Sequence, residues 1–201
     1  MTRKFLFTLL LAFIISPLFA KTILIVGDSL SAAYGFDEKK SWVNLLQARL
    51  EKEQGVYKVV NLSRSGDTTS NGLAKLTDAL AKQKPAIVII ELGANDGLRG
   101  LSIQKMQQNL EKMIQLSQQN SAKVLLLATL LPPNYGPAYM ERFNQVYQDL
   151  AVKYKLLLVP MFLEGVAGDP QFMQEDGLHP NQQAQERIFA NIWPVLQTLL
   201  L

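Results

Sequence analysis

Five short apolar runs set the main constraint on this chain. They lie at residues 22–26, 57–62, 86–92, 123–131 and 156–159. They are apolar along most of their length rather than on alternate residues. That is the pattern of strands covered on both faces, as in a parallel sheet between two helical layers. The third run contains Ile87-Val88-Ile89-Ile90, a β-branched series that favours extended backbone. Longer stretches with apolar spacings of three and four separate the runs. Ser41 is placed to cap a helix over 42–53, and Leu73, Leu76 and Leu80 mark a second. Ile103, Met106, Leu110, Met113 and Ile114 form a stripe on 102–119. A further helix is expected from about Ala138 to Tyr154. The last should start near Pro180 or Asn181, with Ile188, Ile192 and Leu196 on one face and a kink or break at Pro194. The order βαβαβαβαβα predicts a three-layer α/β fold with right-handed crossovers. In such sheets chemistry gathers at the carboxyl ends of the strands.

Composition then narrows the chemistry. Among 201 residues there is no Cys and one His, His179. A disulfide scaffold, a Cys nucleophile and a thiolate zinc site are excluded, as is any metal site needing two His from one chain. Any mechanism that needs an imidazole has one candidate.

The formal charge of +3 suggests a nucleic-acid partner until the first residues are read. Arg3 and Lys4 precede an apolar run over 5–15, followed by Ser16-Pro17-Leu18-Phe19-Ala20. This reads as a signal peptide over residues 1–20, ahead of a single domain over 21–201. The competing reading is an anchor. The stretch 5–20 has only 16 residues and contains Ser16 and Pro17, short of the roughly 20 a span requires. A periplasmic or secreted protein with no stable membrane span after cleavage is therefore expected. Without Arg3 and Lys4, 18 basic residues face 17 acidic ones. No Lys/Arg stripe interleaved with aromatics is present, so no nucleic-acid partner is expected.

Each strand exit is rich in glycine and polar residues. Gly27-Asp28-Ser29-Leu30-Ser31 follows the first run, Ser63-Arg64-Ser65-Gly66-Asp67-Thr68 the second and Gly93-Ala94-Asn95-Asp96-Gly97 the third. Leu131-Pro132-Pro133-Asn134-Tyr135-Gly136 follows the fourth, and Asp176-Gly177-Leu178-His179-Pro180 precedes the last helix. Ser29 has a plain role as a helix N-cap. A Ser at a helix N-terminus also offers its own N–H to a developing oxyanion, and His179 is the available base for its hydroxyl. Asp176, three residues before His179, is placed to orient the imidazole; its plain role is to make the turn beside Gly177. Glu175 and Asp169 are less suitably placed orienters. The N–H groups of Ser29 and Gly66 with the Asn95 amide give three donors for one oxyanion, although Gly66 and Asn95 are also ordinary turn residues. Asp28, Asp67 and Asp96 have simple turn roles and form no compact acidic cluster, so no metal is expected.

Taken together, Gly27-Asp28-Ser29-Leu30, Gly66, Gly93-Ala94-Asn95-Asp96 and Asp176-Gly177-Leu178-His179-Pro180 resemble the four ordered sequence blocks of the GDSL/SGNH hydrolase family. The resemblance spans Lys21 to about Trp193. Segments 91–100 and 131–136 resemble the family's branch of bacterial periplasmic enzymes with thioesterase, protease and lysophospholipase activities. The resemblance implies a flavodoxin-like fold with a five-stranded parallel sheet in the order 2-1-3-4-5. It implies Ser29 as nucleophile, His179 as base, Asp176 as orienter, and an oxyanion hole of Ser29, Gly66 and Asn95. Leu131 and Pro132 match positions bordering an acyl crevice, to which Leu30 and Leu178 add apolar surface. The implied substrate is a small acyl ester, thioester or lysolipid, hydrolysed without a cofactor by a monomer. Two departures stand out: Ala94 where close relatives have Gly, and Pro133 in place of a smaller residue. Two other readings compete. One is a carbohydrate deacetylase of the same family. The other is a flavodoxin-like ligand-binding module, whose first turn lacks both G-x-x-x-x-G-K-[ST] and G-x-G-x-x-G.

Overall fold

The structure, a computed structural model, describes residues 20–53 and 55–200. The expected signal segment, apart from Ala20, lies outside the described residues. In chain order the regular elements are β1 (Lys21–Gly27), α1 (Trp42–Glu53), β2 (Tyr57–Asn61), α2 (Thr69–Gln83), β3 (Ile87–Glu91) and α3 (Ala94–Leu98). They continue with α4 (Ile103–Gln119), β4 (Lys123–Leu127), α5 (Pro137–Tyr154), β5 (Leu157–Val159) and α6 (Gln185–Leu196). The strands form one sheet in the order β2-β1-β3-β4-β5, and every pairing is parallel.

The two-sided burial that the apolar runs imply is met by two separate cores. Leu24, Val26, Val88, Ile90, Val124 and Leu126 face α2, α4 and α5. Their chain neighbours Ile23, Ile25, Ile87, Ile89, Leu125 and Leu127 face α1 and α6. Each strand thus feeds both cores by simple alternation. The helical stripes fall where the spacing places them: Met106, Leu110, Met113 and Ile114 are buried on α4, and Ile188, Ile192 and Leu196 on α6. Ser41 Oγ accepts the Asn44 N–H at 3.2 Å, closing the first turn of α1.

Four boundaries differ from the sequence pattern. The run at 123–131 is not all strand: β4 ends at Leu127, and the next four residues pass into the loop at the sheet edge. Gly93–Gly97 is not all loop, because Ala94–Leu98 forms the short helix α3. The last helix begins with a 3-10 turn at Gln182–Ala184, whose N-cap Asn181 accepts from the Gln183 and Ala184 N–H groups. Pro194 does not interrupt α6. It lies two residues from the end of that helix, and a 3-10 turn at Gln197–Leu199 follows.

These cores should dominate stability. Leu110 is fully buried, so Leu110→Ala is expected to lower the unfolding free energy in urea by about 2–5 kcal/mol. Val152 on α5 is 81% exposed, and Val152→Ala should stay within about 0.5 kcal/mol of the parent.

Candidate active site

β1 delivers Gly27 and Asp28 to the carboxyl edge of the sheet, and Ser29 follows at half-burial. No regular helix starts there. The segment after Ser29 is a series of turns, with Ala32 N–H donating to Asp28 O at 3.0 Å and Tyr34 N–H to Ser29 O at 3.4 Å. The first α-helix waits until Trp42, so the expected helix N-terminus at Ser29 is replaced by a turn-built loop. That loop is pinned from below. Trp42 is buried, and its indole N–H donates to Leu30 O at 3.2 Å. Glu91, buried at the end of β3, accepts from Asp28 N–H at 3.2 Å and from the Ser31 hydroxyl at 2.7 Å. The parallel register sets Gly27 beside Glu91, and a Cβ on Gly27 would stand 2.7 Å from the Glu91 carboxylate. Only a residue without a side chain fits that approach.

His179 arrives from the far end of the chain on a loop closed by main-chain bonds. Gln174 N–H donates to His179 O at 2.8 Å, and Asn181 N–H to Phe172 O at 2.7 Å. Asp176 sits at the tip. Its Oδ1 accepts the N–H groups of Leu178 and His179, each at 2.9 Å, which makes the turn. Its Oδ2 stands 2.7 Å from His179 Nδ1. One carboxylate thus closes the turn and hydrogen-bonds the imidazole at the same time. Asp169 instead accepts from Gln171 N–H at 2.9 Å. The opposite ring nitrogen, Nε2, lies 3.0 Å from Ser29 Oγ across a separation of 150 residues. This is hydrogen-bond distance for a hydroxyl and a base.

The remaining exits converge on the same edge. Among the described residues, no acceptor meets the N–H of Ser29 or of Gly66. The Asn95 amide is nearby, but its Nδ2 donates to Asp28 Oδ2 and to Asp67 O, both at 3.1 Å. The two main-chain donors are thus available, while Asn95 must exchange one partner to serve an oxyanion. Arg99 holds Gly66 O at 2.9 Å. Lys75 bonds Leu62 O at 2.5 Å and pairs with Asp67. Asp96 accepts Thr69 N–H at 2.8 Å and the Thr69 hydroxyl at 2.7 Å, fastening α3 to the start of α2. The three aspartates weighed as metal ligands are each committed to protein donors. Among the described residues no group of three or more His, Asp or Glu is arranged to hold a metal ion.

A cleft of about 470 Å³ opens beside Ser29 and His179. Leu30, Leu131, Pro132 and Leu178 all line it. Met140, Leu163 and Met173 also line it, without a sequence signal to separate them from core residues. Ala94 lines the cleft as the first residue of α3, a helical position that suits Ala better than Gly. Pro133 opens a 3-10 turn ending at Tyr135, whose hydroxyl donates to Leu98 O at 2.7 Å.

With this geometry in place, comparison with known proteins is decisive at the level of family. Residues 25–187 match the GDSL-like lipase/acylhydrolase family. The chain belongs to that family. It is 55% identical over 181 residues to esterase TesA of Pseudomonas aeruginosa, covering 90% of each chain. It is 44% identical over 181 residues to thioesterase 1/protease 1/lysophospholipase L1 of Escherichia coli, covering 90% of this chain and 85% of that one. The crystal structure of the psychrotrophic esterase EstA from Pseudoalteromonas sp., inhibited by monoethylphosphonate, matches with a TM-score of 0.85 and 40% identity, covering 90% of this chain and 98% of that one. The chain is accordingly a hydrolase acting on ester or thioester bonds.

The electrostatics of this GDSL hydrolase separate its carboxylates. Burial pushes Asp28 up to about 6, against the lowering effect of the Leu30 N–H, the Asn95 amide and the His179 imidazole. Burial and the neighbouring Asp28 charge push Glu91 well above the usual carboxylate range. Desolvation also works to raise Asp176, but hydrogen bonds from His179 and Leu178 outweigh it and bring the carboxyl down to about 2. Asp176 is therefore charged throughout the neutral range, and its charge favours a positive imidazole beside it. Glu91 escaped the sequence reading. Its one signal is a carboxylate closing an otherwise apolar run, Ile87-Val88-Ile89-Ile90-Glu91.

A pH test follows from Asp28. Its folded-state pKa of about 6 lies above the ordinary 3.8, so between these values the folded protein holds the proton more tightly than the unfolded chain. The stabilisation from neutral Asp28 is full below about pH 4 and is lost as pH rises through about 6. The shift corresponds to roughly 3 kcal/mol. The stability of the parent relative to Asp28→Asn should therefore decline by about that much from pH 4 to 7 in urea titrations. A difference that stays constant across the range would contradict this assignment.

Proposed function

We propose that the chain is a serine esterase and thioesterase that cleaves acyl esters, thioesters and lysolipids through an acyl-enzyme on Ser29. The observation that carries this reading is the Ser29 Oγ to His179 Nε2 distance of 3.0 Å, with Asp176 Oδ2 2.7 Å from the other ring nitrogen. His179 takes the hydroxyl proton as Ser29 Oγ bonds to the acyl carbon. The carbonyl oxygen becomes an oxyanion facing the N–H groups of Ser29 and Gly66, with the Asn95 amide turning from one of its acceptors to join them. His179 then gives its proton to the departing alkoxide oxygen or thiolate sulfur as the tetrahedral centre collapses and its C–O or C–S bond breaks. Water, deprotonated by the same imidazole, attacks the acyl-Ser29 carbon and releases the carboxylic acid with Ser29 restored. No cofactor enters the sequence of steps.

The mainly apolar cleft supports an acyl chain over a sugar, and so lipid-like esters over acetylated carbohydrates, as substrates. The phosphonate-inhibited relative supports a nucleophile that forms a bond to an electrophilic centre. The basic and apolar start of the sequence supports export, with residues 1–20 removed and the enzyme acting in the periplasm or outside the cell. Among the described residues, no helix is long and apolar enough to cross a membrane.

Ser29→Ala is expected to lower kcat on p-nitrophenyl acyl esters by at least about 10³-fold, with the circular dichroism spectrum unchanged. His179→Ala should fall comparably, and parent activity should drop on acidification as the imidazole is protonated. Retained turnover in either variant would reject the nucleophile–base assignment. Across a series of acyl lengths, kcat/KM should rise by up to about fourfold for each methylene the cleft buries, following about 0.8 kcal/mol per group. A series with no chain-length dependence would reject the apolar cleft as the acyl site.

A further inference from the structure

Nothing in the mechanism explains how the loops carrying Ser29 and His179 stay in register. They belong to opposite ends of the chain, and neither is part of a helix or strand. One side chain outside the reacting groups bridges them. Gln174 Nε2 donates to Tyr34 O at 2.8 Å, on the loop that follows Ser29. The same nitrogen donates to Pro180 O at 3.0 Å, on the residue after His179. The Gln174 main chain closes the His179 loop as well, through its N–H to His179 O at 2.8 Å and its carbonyl, which accepts Gly177 N–H at 2.9 Å. Both hydrogens of one amide group are thus spent on the two loops that must meet.

The bridge has a second effect. Tyr34, whose carbonyl Gln174 holds, places its ring against the His179 imidazole with centroids 4.5 Å apart and planes tilted by 40°. Fixing Tyr34 O therefore fixes the wall on one face of the imidazole. The backbone beside it is shaped for this contact. Gly35 has φ +83°, and a Cβ there would stand 2.3 Å from the Gln174 amide oxygen. The left-handed conformation and the absent side chain are both needed for Gln174 to reach Tyr34 O.

We propose that Gln174 is a positioning residue for the hydrolysis reaction. It locks the Ser29 loop to the His179 loop and seats the Tyr34 ring on the imidazole, while touching neither substrate nor the reacting atoms. The inference rests on Ser29 and His179 acting as nucleophile and base. Its expected effect follows from the steepness of rate with alignment, where a displacement of about 1 Å costs on the order of 10²-fold.

The test uses Gln174→Met, which keeps length and bulk but removes both donors. kcat on a p-nitrophenyl acyl ester should fall about 10- to 100-fold, with KM within about twofold and the melting temperature close to the parent. The rate of labelling by a fluorophosphonate should fall in parallel, since it needs the same Ser29–His179 contact. His179 is the one histidine of the sequence, so its ring protons can be read by NMR in untagged protein. They should move from their parent positions toward those in Tyr34→Leu, where the aromatic ring is absent. Should Gln174→Met fail to fold, Gln174→Glu supplies the same readings, because it too lacks the two donors. Unchanged kcat, or an unmoved His179 resonance with lowered kcat, overturns the proposal. If His179→Ala is inactive while Gln174→Met turns over normally, the positioning role alone fails; if His179→Ala is active, the underlying mechanism fails.

Discussion

A sheet whose strands all run the same way has one carboxyl edge, and in this protein everything chemical depends on that edge. The strands are buried on both faces by two cores. Polar groups cannot sit in the middle of such strands without losing hydrogen bonds to water, so they collect where the chain leaves the sheet. The parallel register then decides which exits become neighbours. It sets Gly27 against Glu91, which brings the Ser29 loop over a buried carboxyl group, with the exits of β2 and β3 that carry Gly66 and Asn95 on either side.

The loops at this edge are irregular, but they are not loosely held. Ala33, at φ 57°, keeps a left-handed backbone in the loop after Ser29, a conformation that persists only when surrounding contacts determine it. Trp42, Glu91 and Asp96 fix the loops from the core side, and Arg99 and Lys75 fix them nearer the surface. Most of these bonds end on main-chain atoms. A main-chain bond positions a loop without depending on the neighbouring side chain, so Ser29 and its neighbours are held in place by residues outside the cleft.

Carboxylates show how environment divides one residue type among several tasks. Asp176 is charged because it accepts hydrogen bonds at a loop tip. Asp28 lies one residue before Ser29, yet burial raises its pKa toward neutrality and its oxygens hold Leu30 and Asn95. Asp96 accepts both donors of Thr69 and so fastens α3 to the start of α2. Each looks like a turn residue in the sequence, and the surroundings supplied by distant elements distinguish them.

By itself, the sequence determined the layers, the helix faces and the residues placed at each strand exit. Those features rest on local periodicity and on the chemistry of single turns, which act over a few residues. Periodicity could not mark where β4 ends, because Leu130 and Leu131 prolong the apolar run past the strand, where they line the cleft instead. Nor could it show α3, whose five residues are too few for a repeating stripe. The tertiary structure alone decided that Ser29 faces His179, that Glu91 lies under the Ser29 loop, and that Gln174 joins two distant loops. Such contacts arise from strand register and loop closure, and neither is written in the spacing of neighbouring residues.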